Sequence, residues 1–252
     1  MRRQFGKLAS IKGLLALVMA FAVVANAAAA LDMSPLKGVA WGKGTSTLVV
    51  ILHGDSGPSS SYEKSAKTLA SRLPNATVVA LTRPAFTGPT GKSPGQNPQK
   101  DHFTSRNNKL LAESLQSMKS SLGAKKLVVI GHSGGAGQMG TVIGRFPGIV
   151  DVAILAACPC DVPNWRIHRR GKNNWKQSQS PHSFAKRIPK TTKVVLITGS
   201  ADDNTLPRFA QRYAGIAQKS GANVTFVVPQ GVTHKFSSLR PYVHQYALEL
   251  AR

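Results

Sequence analysis

Six short, nearly continuous apolar runs constrain the fold of this chain more than any other feature: residues 48–52, 77–81, 127–130, 150–156, 194–197 and 224–228, each bounded by turn residues. A strand with one wet face alternates apolar and polar side chains, so unbroken runs of this length point to strands covered on both faces, as in a parallel sheet. Helical periodicity fills the gaps. One stretch places Tyr62, Ala66, Leu69, Ala70 and Leu73 on a common face, and another does so with Phe103, Leu110, Leu111, Leu115, Met118 and Leu122. Pro207 suits the first turn of a further helix that Gly221 would stop, and a last helix is expected over residues 239–250. This βαβα rhythm predicts an α/β, doubly wound, mostly parallel sheet with helices on both faces. Nothing repeats internally.

The first thirty residues stand apart. Arg2, Arg3, Lys7 and Lys12 precede an apolar run and then a small-residue stretch containing Ala-Asn-Ala at 25–27, the order of a secretory signal peptide. Residues 1–30 are therefore expected to be a leader and 31–252 a single domain, exported to the periplasm or beyond, with no stable membrane insertion once the leader is cleaved.

Charge narrows the partners. The chain carries 33 Lys and Arg against 10 Asp and Glu, and without the leader 29 against 10, a formal charge of +19. Nucleic-acid binding would need that charge gathered on one motif among aromatics, yet it is scattered and aromatics make up 6% of the chain. An anionic envelope surface is a partner such a charge would attract, and a solvated basic surface that keeps the protein soluble is the plainer, favoured reading.

The chemistry is expected at three places. Gly131-His132-Ser133-Gly134-Gly135 lies directly after one apolar run and before a helix-compatible stretch. A nucleophile on a sharp strand-to-helix turn needs small neighbours, and the helix N-terminus beneath it favours developing negative charge. A serine hydroxyl needs a histidine to take its proton, and that histidine needs a carboxylate to hold its tautomer. Both occur further along at strand tips: Gly199-Ser200-Ala201-Asp202-Asp203-Asn204, then Gly231-Val232-Thr233-His234. The order Ser, Asp, His is that of the α/β-hydrolases.

These three motifs, in place and in order, make the chain from about 48 to 250 resemble an α/β-hydrolase domain of the dienelactone-hydrolase and prolyl-oligopeptidase branches. The resemblance implies Ser133 as nucleophile, His234 as base and Asp202 as acid, with Asp203 as rival acid. It also implies an oxyanion hole from the backbone amides of Gly134 and of Asp55, the latter following the His53-Gly54 pair. An acidic side chain at Asp55 is tolerable only if it points away, and His53 and His132 read as structural. The full fold has two strands before the run at 48–52; residues 36–47 leave room for a shortened sheet edge only. The expected activity is hydrolysis of a small-molecule carboxylic ester through an acyl-enzyme, without metal or cofactor; a short-peptide or amide hydrolase and a non-catalytic envelope-binding module are the alternatives.

Two long segments break the rhythm: 83–101, rich in Gly and Pro, and 159–189, basic and carrying Trp165 and Trp175. Loops beyond the carboxyl ends of parallel strands line the ligand crevice, so these are the expected rim and a small basic lid. Arg83 and Trp165 are the expected substrate contacts. Cys158 and Cys160 flank one proline; buried thiols and a small-ring disulfide stand equal, and catalytic redox is disfavoured because a thioredoxin-type pair needs two intervening residues.

Overall fold

The computed structural model describes residues 31–252; the expected leader lies outside the described residues. A central sheet takes the strands β1 (Lys37–Trp41), β2 (Thr47–Leu52) and β3 (Ala76–Thr82), with helix α1 (Ser60–Arg72) between the last two. A two-residue hairpin, β4 (Thr87–Gly88) and β5 (Gly91–Lys92), precedes α2 (Ser105–Leu122), β6 (Lys126–His132), α3 (Gly134–Arg145) and β7 (Val152–Ala156). Then come α4 (Val162–Arg170), β8 (Lys193–Ile197), α5 (Pro207–Lys219), β9 (Asn223–Val227) and α6 (Phe236–Leu250). The seven strands of the main sheet lie in the order β1-β3-β2-β6-β7-β8-β9, with β1 antiparallel to β3 and the rest parallel.

The continuous apolar runs are explained by what they separate. Alternate residues of each strand enter opposite layers: Val50, Val129, Leu155 and Leu196 pack with α2, α3 and α5, whereas Ile51, Ile130, Ile154 and Ile197 pack with α1 and α6. Both faces of the central strands are dry, so apolar side chains fill both register positions there, whereas the edge strands β1 and β9 are partly exposed. Emptying such a site, as in Leu127→Ala, costs about 2–5 kcal/mol through lost transfer energy and the cavity left behind.

Helix boundaries follow local chemistry. The second helix begins after Phe103 rather than at it, because the Thr104 hydroxyl caps α2 by accepting from the Asn107 N–H at 3.3 Å. The last helix starts at Phe236, three residues before the expected Leu239, and carries Pro241 within its first turns. The sheet edge is shortened as expected, one antiparallel strand standing where two strands would precede β2. No helix among the described residues is long and apolar enough to cross a membrane.

Paired registers bring the strand ends level. Leu52, Gly131, Leu155, Leu196 and Phe226 are neighbours across the sheet, so the segments leaving β2, β6, β8 and β9 emerge at one edge. The candidate residues sit on those segments.

Candidate active site

Ser133 occupies the turn between β6 and α3 with φ 50° and ψ −118°, a backbone conformation that L side chains adopt at a cost of order 1–3 kcal/mol. Its N–H donates to Ala156 O at 2.9 Å and its carbonyl accepts from the Gly137 N–H at 3.0 Å, which fixes the turn from both sides. Close approach explains the flanking glycines. A Cβ at 131 would lie 2.7 Å from the backbone of Ala136, and one at 135 would lie 2.6 Å from Leu52 O. As the first residue of α3, Gly134 has a backbone N–H with no intrahelical acceptor.

Ser133 Oγ lies 3.0 Å from His234 Nε2, and His234 Nδ1 lies 2.9 and 3.1 Å from the two oxygens of Asp202. The carboxylate can only accept there, so Nδ1 carries the proton and Nε2 is left to accept from the serine hydroxyl. Asp202 also accepts from the N–H groups of Asn204 and Thr205 at 2.9 and 2.8 Å and from the Thr205 hydroxyl at 2.8 Å. Burial works against its charge, but the hydrogen bonds and attraction from His234, with those from Thr205, outweigh it and hold the carboxyl below its ordinary pKa. Asp203 is exposed, and among the described residues only its backbone carbonyl is engaged, by His168 Nε2 at 2.8 Å. The geometry therefore brings Ser133, His234 and Asp202 into one chain and leaves the Asp203 carboxylate outside it.

Behind this chain runs a second one that the sequence did not reveal. His132 Nε2 lies 2.9 Å from His234 O, a carbonyl, so Nε2 donates and Nδ1 accepts. The Tyr62 hydroxyl donates to that Nδ1 at 2.8 Å, and its oxygen accepts the Gly54 N–H at 3.1 Å. The loop after β2 is thus tied to the backbone of His234 through two side chains. Burial pushes His132 down to about 4, so it stays neutral in the donor state this network needs. His53 is likewise structural: Nδ1 donates to Gly54 O at 2.8 Å, Nε2 accepts the Arg83 N–H at 3.0 Å, and burial with the nearby Arg83 charge brings it to about 3.

Arg83, expected at the crevice as a substrate contact, is instead fully buried and absent from the lining of the cleft. Its Nη1 donates to Asp55 Oδ1 at 2.8 Å and to His53 O at 3.1 Å, and its Nε donates to Gln138 Oε1 at 2.6 Å. A carboxylate so close to the expected oxyanion position would oppose the developing charge; the ion pair turns Asp55 toward a compensating cation. Gln138 lies on α3 and also donates to His102 O at 2.8 Å, so Arg83 couples the loop after β2 to the helix that carries Ser133. Tyr62, Gln138 and Thr205 were invisible as site residues. A faint signal came only from Gln138, a polar residue in a helical stretch that is otherwise mostly small and apolar.

Above this base lies a cleft of about 690 Å³ whose lining includes Ser133, His234, Asp55 and Trp165. Its roof is the segment 159–189, which is a built element. Asp161 caps α4 by accepting from Asn164 and pairs with Arg212. Trp165, Trp175 and Phe103 form an aromatic cluster with ring centroids 5.7–6.4 Å apart. Trp165 Nε1 donates to Asn204 Oδ1 at 3.1 Å, joining the roof to the loop that holds Asp202. Cys158 and Cys160 are joined in a disulfide and fully buried where β7 leads into this segment. Among the described residues no cluster of His, Cys, Asp or Glu is placed to hold a metal ion.

The sequence profile of the alpha/beta hydrolase family matches residues 49–186, more than half of the chain. The chain belongs to the alpha/beta hydrolase family. Solved structures with this fold include the monoacylglycerol lipase of Paleococcus ferrophilus, at TM-score 0.61 and 17% identity over 85% of this chain and 97% of that one. The proline iminopeptidase of Mycobacterium smegmatis matches at TM-score 0.62 and 16% identity over 87% of this chain and 96% of that one. Est1E of Butyrivibrio proteoclasticus, solved with ferulic acid bound, matches at 0.58 and 15% over 87% and 97%. No curated protein sequence matches the chain. At such identities the likeness establishes the hydrolase fold and spans lipase and peptidase alike.

Proposed function

We propose that this alpha/beta hydrolase is an exported serine hydrolase that cleaves carboxylic esters through an acyl-enzyme. The observation that carries the reading is the unbroken line from Ser133 Oγ through His234 to Asp202, opening onto the cleft. Ser133 Oγ attacks the ester carbonyl carbon as His234 Nε2 takes its proton, and Asp202 stabilises the resulting imidazolium. The carbonyl oxygen, now negative, sits against the N–H groups of Gly134 and Asp55. Collapse expels the alcohol, which receives the proton from His234. Water then repeats the sequence on the acyl-enzyme, releasing the acid and restoring Ser133. Every step is covered by the chain's own groups.

Export rests on the charged, apolar and small-residue order of residues 1–30. The test of the chemistry is hydrolysis of 4-nitrophenyl esters, acetate through octanoate, by residues 31–252 beside the Ser133→Ala variant, with fluorophosphonate labelling in parallel. Turnover that vanishes in the variant supports the reading. Labelling without ester turnover would redirect it to peptide or amide substrates, and failure of both would leave a binding module.

A further inference from the structure

The cleft is cationic beyond the background of the chain. Lys100, Arg166, Arg169 and Arg170 are four of its sixteen lining residues, against 29 Lys and Arg in the 222 described residues. Its single lining carboxylate, Asp55, is already committed to Arg83. Among the described residues none of the four cations lies within ion-pair distance of a carboxylate.

Helix capping accounts for part of this, since Arg169 and Arg170 stand in the last turn of α4, where positive charge complements the carbonyl ends. It does not account for Arg166, one turn earlier, or for Lys100, which comes from the other long segment. Positions 166, 169 and 170 share one helical face, and that face lines the cleft. Arg166 is also pre-positioned. Its guanidinium lies 4.1 Å from the centroid of the Trp175 ring, Nη2 donates to Asn174 Oδ1 at 3.0 Å, and Nε is buried without a protein acceptor. A guanidinium held against an aromatic face loses less entropy on gripping an anion, and its fork fits a carboxylate or phosphate.

Building on the ester-hydrolase reading, we infer that the preferred substrates are esters bearing an anionic oxygen group, carboxylate or phosphate, away from the bond to be cleaved, held by Arg166 with Arg169, Arg170 and Lys100 while Ser133 attacks. The anion is bound and not transformed.

Three 4-nitrophenyl esters of one six-carbon acyl chain test this, ending in a free carboxylate, a phosphate monoester or a methyl-capped carboxylate. The expected result is kcat/KM at least tenfold higher for the two anionic esters than for the capped one at low salt, shrinking as salt screens the roof. In the Arg166→Gln/Arg169→Gln variant the loss should fall at least tenfold more on the anionic esters than on the capped one. A preference for carboxylate over phosphate, or the reverse, identifies the source. Equal or better turnover of the capped ester by the native protein would overturn the inference and leave the hydrolase reading standing. Should none of the esters turn over, titration of the Ser133→Ala variant followed by fluorescence of Trp165 and Trp175 decides separately. Tighter binding of the anionic esters would uphold the anion site while the hydrolase reading fails, and no charge preference would sink the inference.

Discussion

The base of the cleft and its roof are built on opposite principles. At the base, His53, His132, Arg83 and Asp202 are buried, and each has specific hydrogen-bond partners on the segments leaving the strand ends. In the roof, Arg169 and Arg170 are exposed, and order comes from two tryptophans packed on Phe103 and a guanidinium laid on one of them. Most of the polar groups at the base are paired, which fixes their directions, although Arg83 Nη2 is buried without a partner. The roof is held by its aromatic cluster together with the Asp161 cap, the pairing with Arg212 and the disulfide at its start, none of which engages Arg169 or Arg170, so its surface is fixed while those charges are not.

The sharpest test of the base separates two adjacent carboxylates. Asp202→Asn removes the acceptor that keeps the proton on His234 Nδ1, and kcat should fall by roughly 10⁴-fold, the size expected when the wrong tautomer is favoured. Asp203→Asn should leave kcat within about twofold, since its exposed carboxylate has no part in the chain of hydrogen bonds. Equal losses in ester turnover would mean that the two residues share the role, and the distinction drawn from burial would collapse.

Acid should strike the base next. In the unfolded chain a histidine binds its proton below about pH 6.5, whereas folded His132 does so only near 4 and His53 near 3. Between those values the unfolded state holds more protons, so stability falls as the pH falls, by about 1.4 kcal/mol per unit for each histidine. The stability is fully present above pH 6.5. Urea midpoints should therefore drop steeply from pH 6.5 to about 4. A flat profile would mean that both rings take up protons in place, and the neutral donor assigned to His132 would be wrong.

How far these parts could be read from sequence follows from the same contrast. Six of the seven main-sheet strands and the parallel class of the sheet were legible because two dry faces leave unbroken apolar runs. The strand order, the edge strand β1 and helix α4 were not, since they depend on pairings and contacts that periodicity does not carry. Ser133, Asp202 and His234 could be singled out because strand ends place them at short, fixed offsets. Arg83 was misplaced: position after a strand locates the residue, but only the tertiary partners Asp55 and Gln138 show that its guanidinium turns inward. Tyr62 reads as a core residue on a helical face, and nothing local reveals that its hydroxyl meets His132 from seventy positions away. The roof was anticipated as a lid from its length and composition, yet its cap, its aromatic cluster and the pairing of Cys158 with Cys160 depend on contacts that spacing alone leaves open.

A third intervention presses on the joint between the nucleophile helix and the loop after β2. A Cβ at position 134 would stand 1.9 Å from Asp55 Oδ1 and 2.6 Å from Arg83 Nη1, so Gly134→Ala forces the ion pair or the turn to shift. Because the amides of 134 and 55 are the proposed oxyanion donors, kcat should fall about 10²-fold with a smaller change in KM, the scale of losing one such donor. A fully active, fully stable variant would show that the base yields as readily as a surface loop.

The roof should give the smallest response in stability and thereby complete the contrast. Arg166 is half-buried, makes no ion pair among the described residues, and is tied down by one hydrogen bond and by the rings of Trp175, at 4.1 Å, and Trp165, at 6.0 Å. A cation–π contact at such a site contributes about 0.5–1 kcal/mol, so Arg166→Gln should change the unfolding free energy in urea by no more than about 1 kcal/mol. The aromatic cluster beneath keeps its shape because the tryptophan ring nitrogens are held elsewhere, by Asn204 and by Gln99 O. A loss of several kcal/mol would make Arg166 a support of the roof rather than a tenant of it. The charge would then be explained by folding, and the reason for placing an unpaired guanidinium over the cleft would have to be sought in architecture instead of in substrate.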